Sequence, residues 1–217
     1  MTSAGEPAHA DLDGGWLLPP PAEREAVHTR SIVCRSFRRA DGLFDVDGRF
    51  IDSRPFDYHS PFRGDCPAGS QLHNMQLRLT VDRQRHVVAL QAAMPATPYA
   101  HCPGVLPNFQ RMVGVSLGKG FKKVLRERLG GTEGCTHVLA LLEAMAAAAV
   151  QTFASAKHAP RPPGAPQPVQ VFQLDALIGT CHSYAEDSPV VAQMRAHASD
   201  GRAPSVNHRT PPPPLRG

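Results

Sequence analysis

Thiols and imidazoles recur close together in this chain: Cys135 and His137 in "GCTHV", His101 and Cys102 in "PYAHCPG", Cys181 and His182 in "TCHSY", and His73 alone in "QLHNM". Thiolate sulfur and neutral imidazole nitrogen are the usual ligands of zinc and also serve iron, most often in tetrahedral sets of four. Cys135 leads into the Ala-rich stretch "THVLALLEAMAAAAVQTF", which reads as a helix. At a helix mouth the unpaired N–H groups and the positive end of the dipole favour a thiolate over a thiol. His137 reaches the same point if the chain is still turning, which Gly134 permits. Cys135 and His137 therefore read as half of a metal site, without the repeated Cys-x-x-Cys pairs of regular zinc modules.

The other half has to come from elsewhere. His73 lies just ahead of the strand-like "MQLRLTVD", and Cys102 follows the partner strand "HVVALQAAM". In a hairpin, residues before the first strand and after the second share one end of the sheet. The candidate ligands are thus His73, Cys102, Cys135 and His137, with Cys181 or His182 close by, and the expected cofactor is a zinc or iron ion. Cys181 and His182 also admit a thiolate nucleophile activated by imidazole, although the sequence offers no oxyanion donors or orienting third group. Each of these residues has a plainer reading as well, since free Cys is commonly buried and His commonly a hydrogen-bonded structural group. Arg30 and Arg39 are candidates for gripping the carboxylate or phosphate of a small-molecule ligand with a bidentate fork. Asp41 and Asp47 read as turn and surface residues. Cys34, inside an alternating strand, and Cys66, in a loop, are set aside.

Those side chains need a frame. "HTRSIVCRSFR" and "LFDVDGRFIDSR" alternate apolar and polar residues about the turn "RADG" (39–42), and the two strands flanking His73 and Cys102 join across "DRQR". A Pro-, Gly-, Asp- and Ser-rich loop (55–70) separates the hairpins, and Pro95 and Pro98 close the strand run. Helices follow: a segment from "LPNFQRMVGV", then "FKKVLRERLGG" with its glycine stop, then the Ala-rich helix with Val138, Leu141, Leu142, Met145, Val150 and Phe153 as its apolar surface. Strands first and helices second predict an α+β fold, an antiparallel sheet of about four strands from the N-terminal half covered by helices from the C-terminal half. Proline and glycine crowd the remaining stretches. They predict a disordered tail over 1–27, one domain over 28–190 with a Pro-rich linker at 157–170, and a second tail over 191–217.

Composition narrows the function classes. The 217 residues carry a net charge of +4, with the surplus in "RMVGVSLGKGFKKVLRER". That helix could dock an acidic partner, but no aromatic platform or nucleic-acid fold accompanies it, so a solvated face is the simpler expectation and nucleic acid is not an expected partner. "GVSLGKG" lacks phosphate-loop spacing, and Gly120 stands where Ser or Thr should follow Lys119. No basic-then-apolar leader opens the chain, and no window is expected to reach bilayer-spanning length, which predicts a cytoplasmic protein without membrane contact. Five cysteines, an odd number without pairwise spacing, fit a reducing compartment.

From His28 to Asp187 the chain resembles a bacterial domain-of-unknown-function family numbered 2889. The stretches that carry the likeness are "HTRSIVCRSFRRADGLFDVDGRFIDSRPFDY", "LHNMQLRLTVD", "PYAHCPGVLPNFQRMVGVSLGKGFKKVLRERLGGTEGCTHV" and "TCHSY". The resemblance implies a bacterial, cytoplasmic single-domain protein and no particular activity. The family usually shows His-Asp-Met where this chain has His73-Asn74-Met75. The order of His73, Cys102, and Cys135 with His137 is also similar to the ligand order of NifU-type iron-sulfur cluster scaffold proteins, with a His in the place of the first scaffold cysteine. Three functions follow as expectations: a metal-binding, scaffold-like domain; a metal-dependent lyase or hydrolase acting on a small organic acid or aromatic compound; and an interaction module using the basic helix.

Overall fold

The computed structural model describes residues 22–156 and 177–199. Four long strands, β1 (Thr29–Arg38), β2 (Phe44–Ser53), and, after an excursion, the pair numbered β5 (Gln71–Val81) and β6 (Val87–Ala96), form one antiparallel sheet in the order β1-β2-β5-β6. The excursion is a small two-stranded hairpin, β3 (Tyr58–Ser60) and β4 (Gly64–Cys66). A 3-10 helix (Cys102–Met112), α1 (Phe121–Leu129) and α2 (Thr136–Ala156) follow, and a last helix, α3, spans Pro189–Ser199. The protein is therefore α+β in the arrangement the sequence predicts.

Alternation decides which face is covered. Along β2 the inward positions are Phe44, Val46, Gly48, Phe50 and Asp52, opposite Val81, Leu79, Leu77, Met75 and His73 of β5. Four of these cross-strand pairs are apolar or glycine, and they bury α2 through Val138, Leu141, Leu142, Met145, Ala149 and Phe153. The fifth, Asp52 with His73, is polar and stands at one end of the ladder. Phe153 meets Phe44 edge to face, with ring centroids 5.0 Å apart, while His137 meets Phe50 at 5.3 Å. The helix thus runs opposite in direction to β2 and lays its first turn over the polar end of the sheet.

Gly48 marks the closest approach. A Cβ there would meet Met145 Sδ, with Met145 Cγ at 2.7 Å and Leu141 Cδ1 at 3.0 Å. Gly48→Val should cost about 1–3 kcal/mol by overpacking. A lower urea midpoint with an unchanged m-value would register it.

Several boundaries differ from the sequence reading. β5 begins at Gln71, so His73 lies within the strand and not ahead of it. Pro95 does not end β6 but sits inside it, where the pairing is irregular between Asn74 and Gln76 on the partner; an edge strand tolerates the missing N–H at such a bulge. The segment after Cys102 is 3-10 and not α-helical, with Pro103 and Pro107 within it. The expected N-terminal tail is described only from residue 22, the expected linker at 157–170 lies outside the described residues, and the expected tail from 191 begins as helix α3. By length and composition α2 could cross a bilayer, with an 18-residue window of mean hydropathy 1.6, contrary to the expectation that no window would qualify. In the fold, its apolar stripe lies on the sheet.

Candidate metal centre

Register builds the site. Asp52 pairs across β2 and β5 with His73, and across β1 and β2 with Arg30, so one row on the inner face reads Arg30, Asp52, His73. The pairing shifts immediately afterwards, between Asp52 and Ser53, as bulges commonly do beside functional sites. The first turn of α2 brings His137 over this row. Its ring lies 3.7 Å from that of His73, centroid to centroid, with 31° between their planes. Asp52, His73 and His137 each offer a ligand atom, and those atoms all lie within 4.8 Å of one another.

Asp52 is the centre of the cluster, its side chain only 2% exposed. Arg30 donates to it twice, Nε to Oδ1 at 2.8 Å and Nη2 to Oδ2 at 3.0 Å. His28 Nε2 stands 3.1 Å from Oδ1, His73 Nδ1 3.0 Å from Oδ2, and His137 Nε2 3.8 Å from Oδ2. Burial pushes the carboxyl's pKa up, but the Arg30 hydrogen bonds and charge, helped by His28 and His73, outweigh it and hold the group below its ordinary value. Burial moves both imidazoles down: for His73 it prevails over the pull of Asp52, and for His137 it is reinforced by His73. Two imidazoles that resist protonation and one carboxylate that resists neutralisation are donors in the form metals require.

Of the residues the sequence singles out, the fold brings together His73, His137 and Arg30. Cys135 flanks them, its Sγ 3.6 Å from His137 Nδ1, on the nitrogen facing away from Asp52. Cys102 opens the 3-10 helix shortly beyond Ala96, the partner of Asn74, and so lies toward the same end of the sheet. Among the described residues it does not join the ligand group. Cys181 and His182 are exposed on the C-terminal segment and are not in the group either. Arg39 is held in the β1–β2 turn by Asp41 at 2.7 Å and Asp45 at 3.5 Å. That turn is eight residues along the strand from Arg30↔Asp52, or about 26 Å at a strand's rise.

Asp52 is the member of the cluster that the sequence leaves unassigned. The available signal was its position: the run Phe44, Val46, Gly48, Phe50 points inward, and the next inward residue is an aspartate. An open cavity of about 590 Å³ bordered by Cys34, Ser36 and Thr152 lies toward the other end of α2. Burial pushes the Cys34 thiol up, away from a nucleophilic form.

Four cations of the basic segment have carboxylate partners within the chain. Lys122 and Arg126 reach Glu143 on α2 at 3.4 and 3.7 Å, Lys123 reaches Glu127, and Arg111 meets Glu133 at 2.6 Å.

An open-faced antiparallel sheet under one long helix, with two histidines and an aspartate at the helix entrance, defines an α+β domain with a candidate metal centre. The chain belongs to the family described as "Protein of unknown function (DUF2889)", whose model matches residues 28–151. No curated protein and no solved structure matches it. The likeness to iron-sulfur scaffolds therefore finds no support, and the assembled donors are nitrogen and oxygen where clusters are held chiefly by thiolates.

Proposed function

We propose that this domain binds a divalent transition metal, zinc or iron(II), through Asp52, His73 and His137. The convergence of three donors within 4.8 Å at the end of an otherwise apolar ladder carries the proposal. Ligand atoms of an ion bound at about 2.1 Å stand roughly 3–3.5 Å apart, so small side-chain rotations close the set. Cys135, 3.6 Å from the Nδ1 of His137, fixes the orientation of that ring, as hydrogen-bond partners on the far nitrogen do for metal-bound imidazoles. Two histidines and one carboxylate leave coordination positions for water or substrate, which suits metal-assisted chemistry better than a closed structural site. A lyase or hydrolase acting on a small organic acid is the enzymatic form of this proposal. Docking through the basic helix is less favoured, because Arg111, Lys122, Lys123 and Arg126 already face carboxylates of the same chain.

The test is elemental analysis of purified protein beside two variants. Wild type and Cys135→Ser should each hold one equivalent of zinc or iron, and His137→Ala should hold less than about a tenth of that. Loss of the ion in Cys135→Ser would make the thiol a direct ligand. Absence of any ion in wild type reconstituted with zinc or iron would favour a second reading. In that one Cys135, His137 and Asp52 act as nucleophile, base and orienting carboxylate, in line with the 3.6 and 3.8 Å spacings.

A further inference from the structure

We infer that the second ligand of this centre is a small carboxylate held by Arg30, and that the ion and the carboxylate bind cooperatively because Arg30 must release Asp52 to receive it. This inference rests on metal binding at Asp52, His73 and His137. In the structure both oxygens of Asp52 are engaged by one guanidinium, through Nε and Nη2. An ion drawing on Oδ2, the oxygen nearest His73 and His137, competes directly with Nη2. Arg30 is built to let go: its side chain is 46% exposed, whereas Asp52 is buried, and its guanidinium carbon lies 4.6 Å from the centre of the Phe50 ring. That stacking holds the fork beside the site after its bonds to Asp52 are lost.

Charge then selects the incoming group. A divalent ion beside one carboxylate and one freed guanidinium leaves the centre with surplus positive charge. Arg63, which donates to the Gln71 carbonyl at the start of β5 at 3.0 Å, adds to it from the β3–β4 hairpin. A carboxylate bridges Arg30 and the ion, one oxygen accepting from the planar edge of Arg30 and the other reaching an open position on the ion. By linkage, whatever each ligand gains from the other is reciprocal.

Zinc titrations with a competing chromogenic chelator, in the presence and absence of millimolar benzoate, provide the test. In wild type, benzoate should tighten zinc binding about tenfold. In Arg30→Gln, zinc alone should bind about tenfold tighter than in wild type, since the guanidinium no longer competes for Asp52, and benzoate should add less than about twofold. Arg30→Lys keeps the charge without the fork and should retain only a small part of the coupling; it also carries the test if Arg30→Gln does not fold by circular dichroism. Zinc binding that is indifferent to benzoate, or a lysine variant coupled as strongly as wild type, overturns the inference and leaves the metal centre standing. Failure to bind zinc under either condition overturns both.

Discussion

Asp52→Ala, studied after chelator treatment, should unfold about 2–4 kcal/mol more easily than wild type and should no longer take up zinc or iron when either is returned. The stability loss arises because the substitution removes two charge-assisted bonds from Arg30 and leaves the buried His73 Nδ1 without its 3.0 Å partner. Urea denaturation measures the first effect and elemental analysis the second. Acid titration separates the contributions. His73 and His137 titrate below their ordinary 6.5 in the folded protein, so the unfolded chain takes up protons first. Their contribution is complete above about pH 6.5 and declines as pH falls below it. Asp52 titrates below its ordinary 3.8, so its contribution is present above that value and is lost as pH falls through the lower folded value. Wild type should therefore weaken in two acid windows, and Asp52→Ala should keep the upper and lose most of the lower, where the exposed Asp41, also lowered by its Arg39 hydrogen bonds, leaves a small remainder.

The second large effect is expected at Gly134, which precedes the Cys135 and His137 turn. Its backbone is extended, with φ −143° and ψ −160°, so left-handed geometry is not the reason for glycine. Space is the reason: a Cβ there would press on the carbonyl oxygen of Leu129, with the Leu129 carbonyl carbon at 3.0 Å and Leu139 Cδ1 at 3.1 Å. A backbone carbonyl at the end of α1 cannot swing aside as a side chain can. Gly134→Ala should therefore move the entrance of α2, lower stability by about 2–3 kcal/mol, and weaken zinc binding at least tenfold although no ligand has changed. Zinc affinity equal to wild type in this variant would show that the α1–α2 junction does not position His137.

Much of the frame was legible because binary patterning repeats cleanly. Phe44, Val46 and Phe50 alternate with Asp45, Asp47 and Arg49, and the turn at Asp41-Gly42 sets the register of β1 on β2. His73 and His137 were legible as candidates because imidazoles beside a predicted hairpin and a predicted helix mouth have few places to go. Asp52 was not, because a lone aspartate in a hairpin with several others looks like surface until the pairing is known. Cys102 and Cys181 illustrate the opposite difficulty. Thiols draw attention in sequence, but whether they converge depends on loop paths such as the 3-10 segment after Tyr99, which follow from packing and not from residue type. The bulge after Asp52 and the Pro95 irregularity in β6 are likewise properties of paired strands, invisible in either strand alone.

The polar row at the end of the ladder has one more consequence, for the order of assembly. Asp52 and His73 are 21 residues apart and can meet as soon as β2 and β5 zip together, whereas His137 arrives only when α2 settles on the finished sheet. The centre is complete only once α2 has docked, so an ion captured there would act as a clasp on that step, slowing escape from the native state more than it hastened arrival.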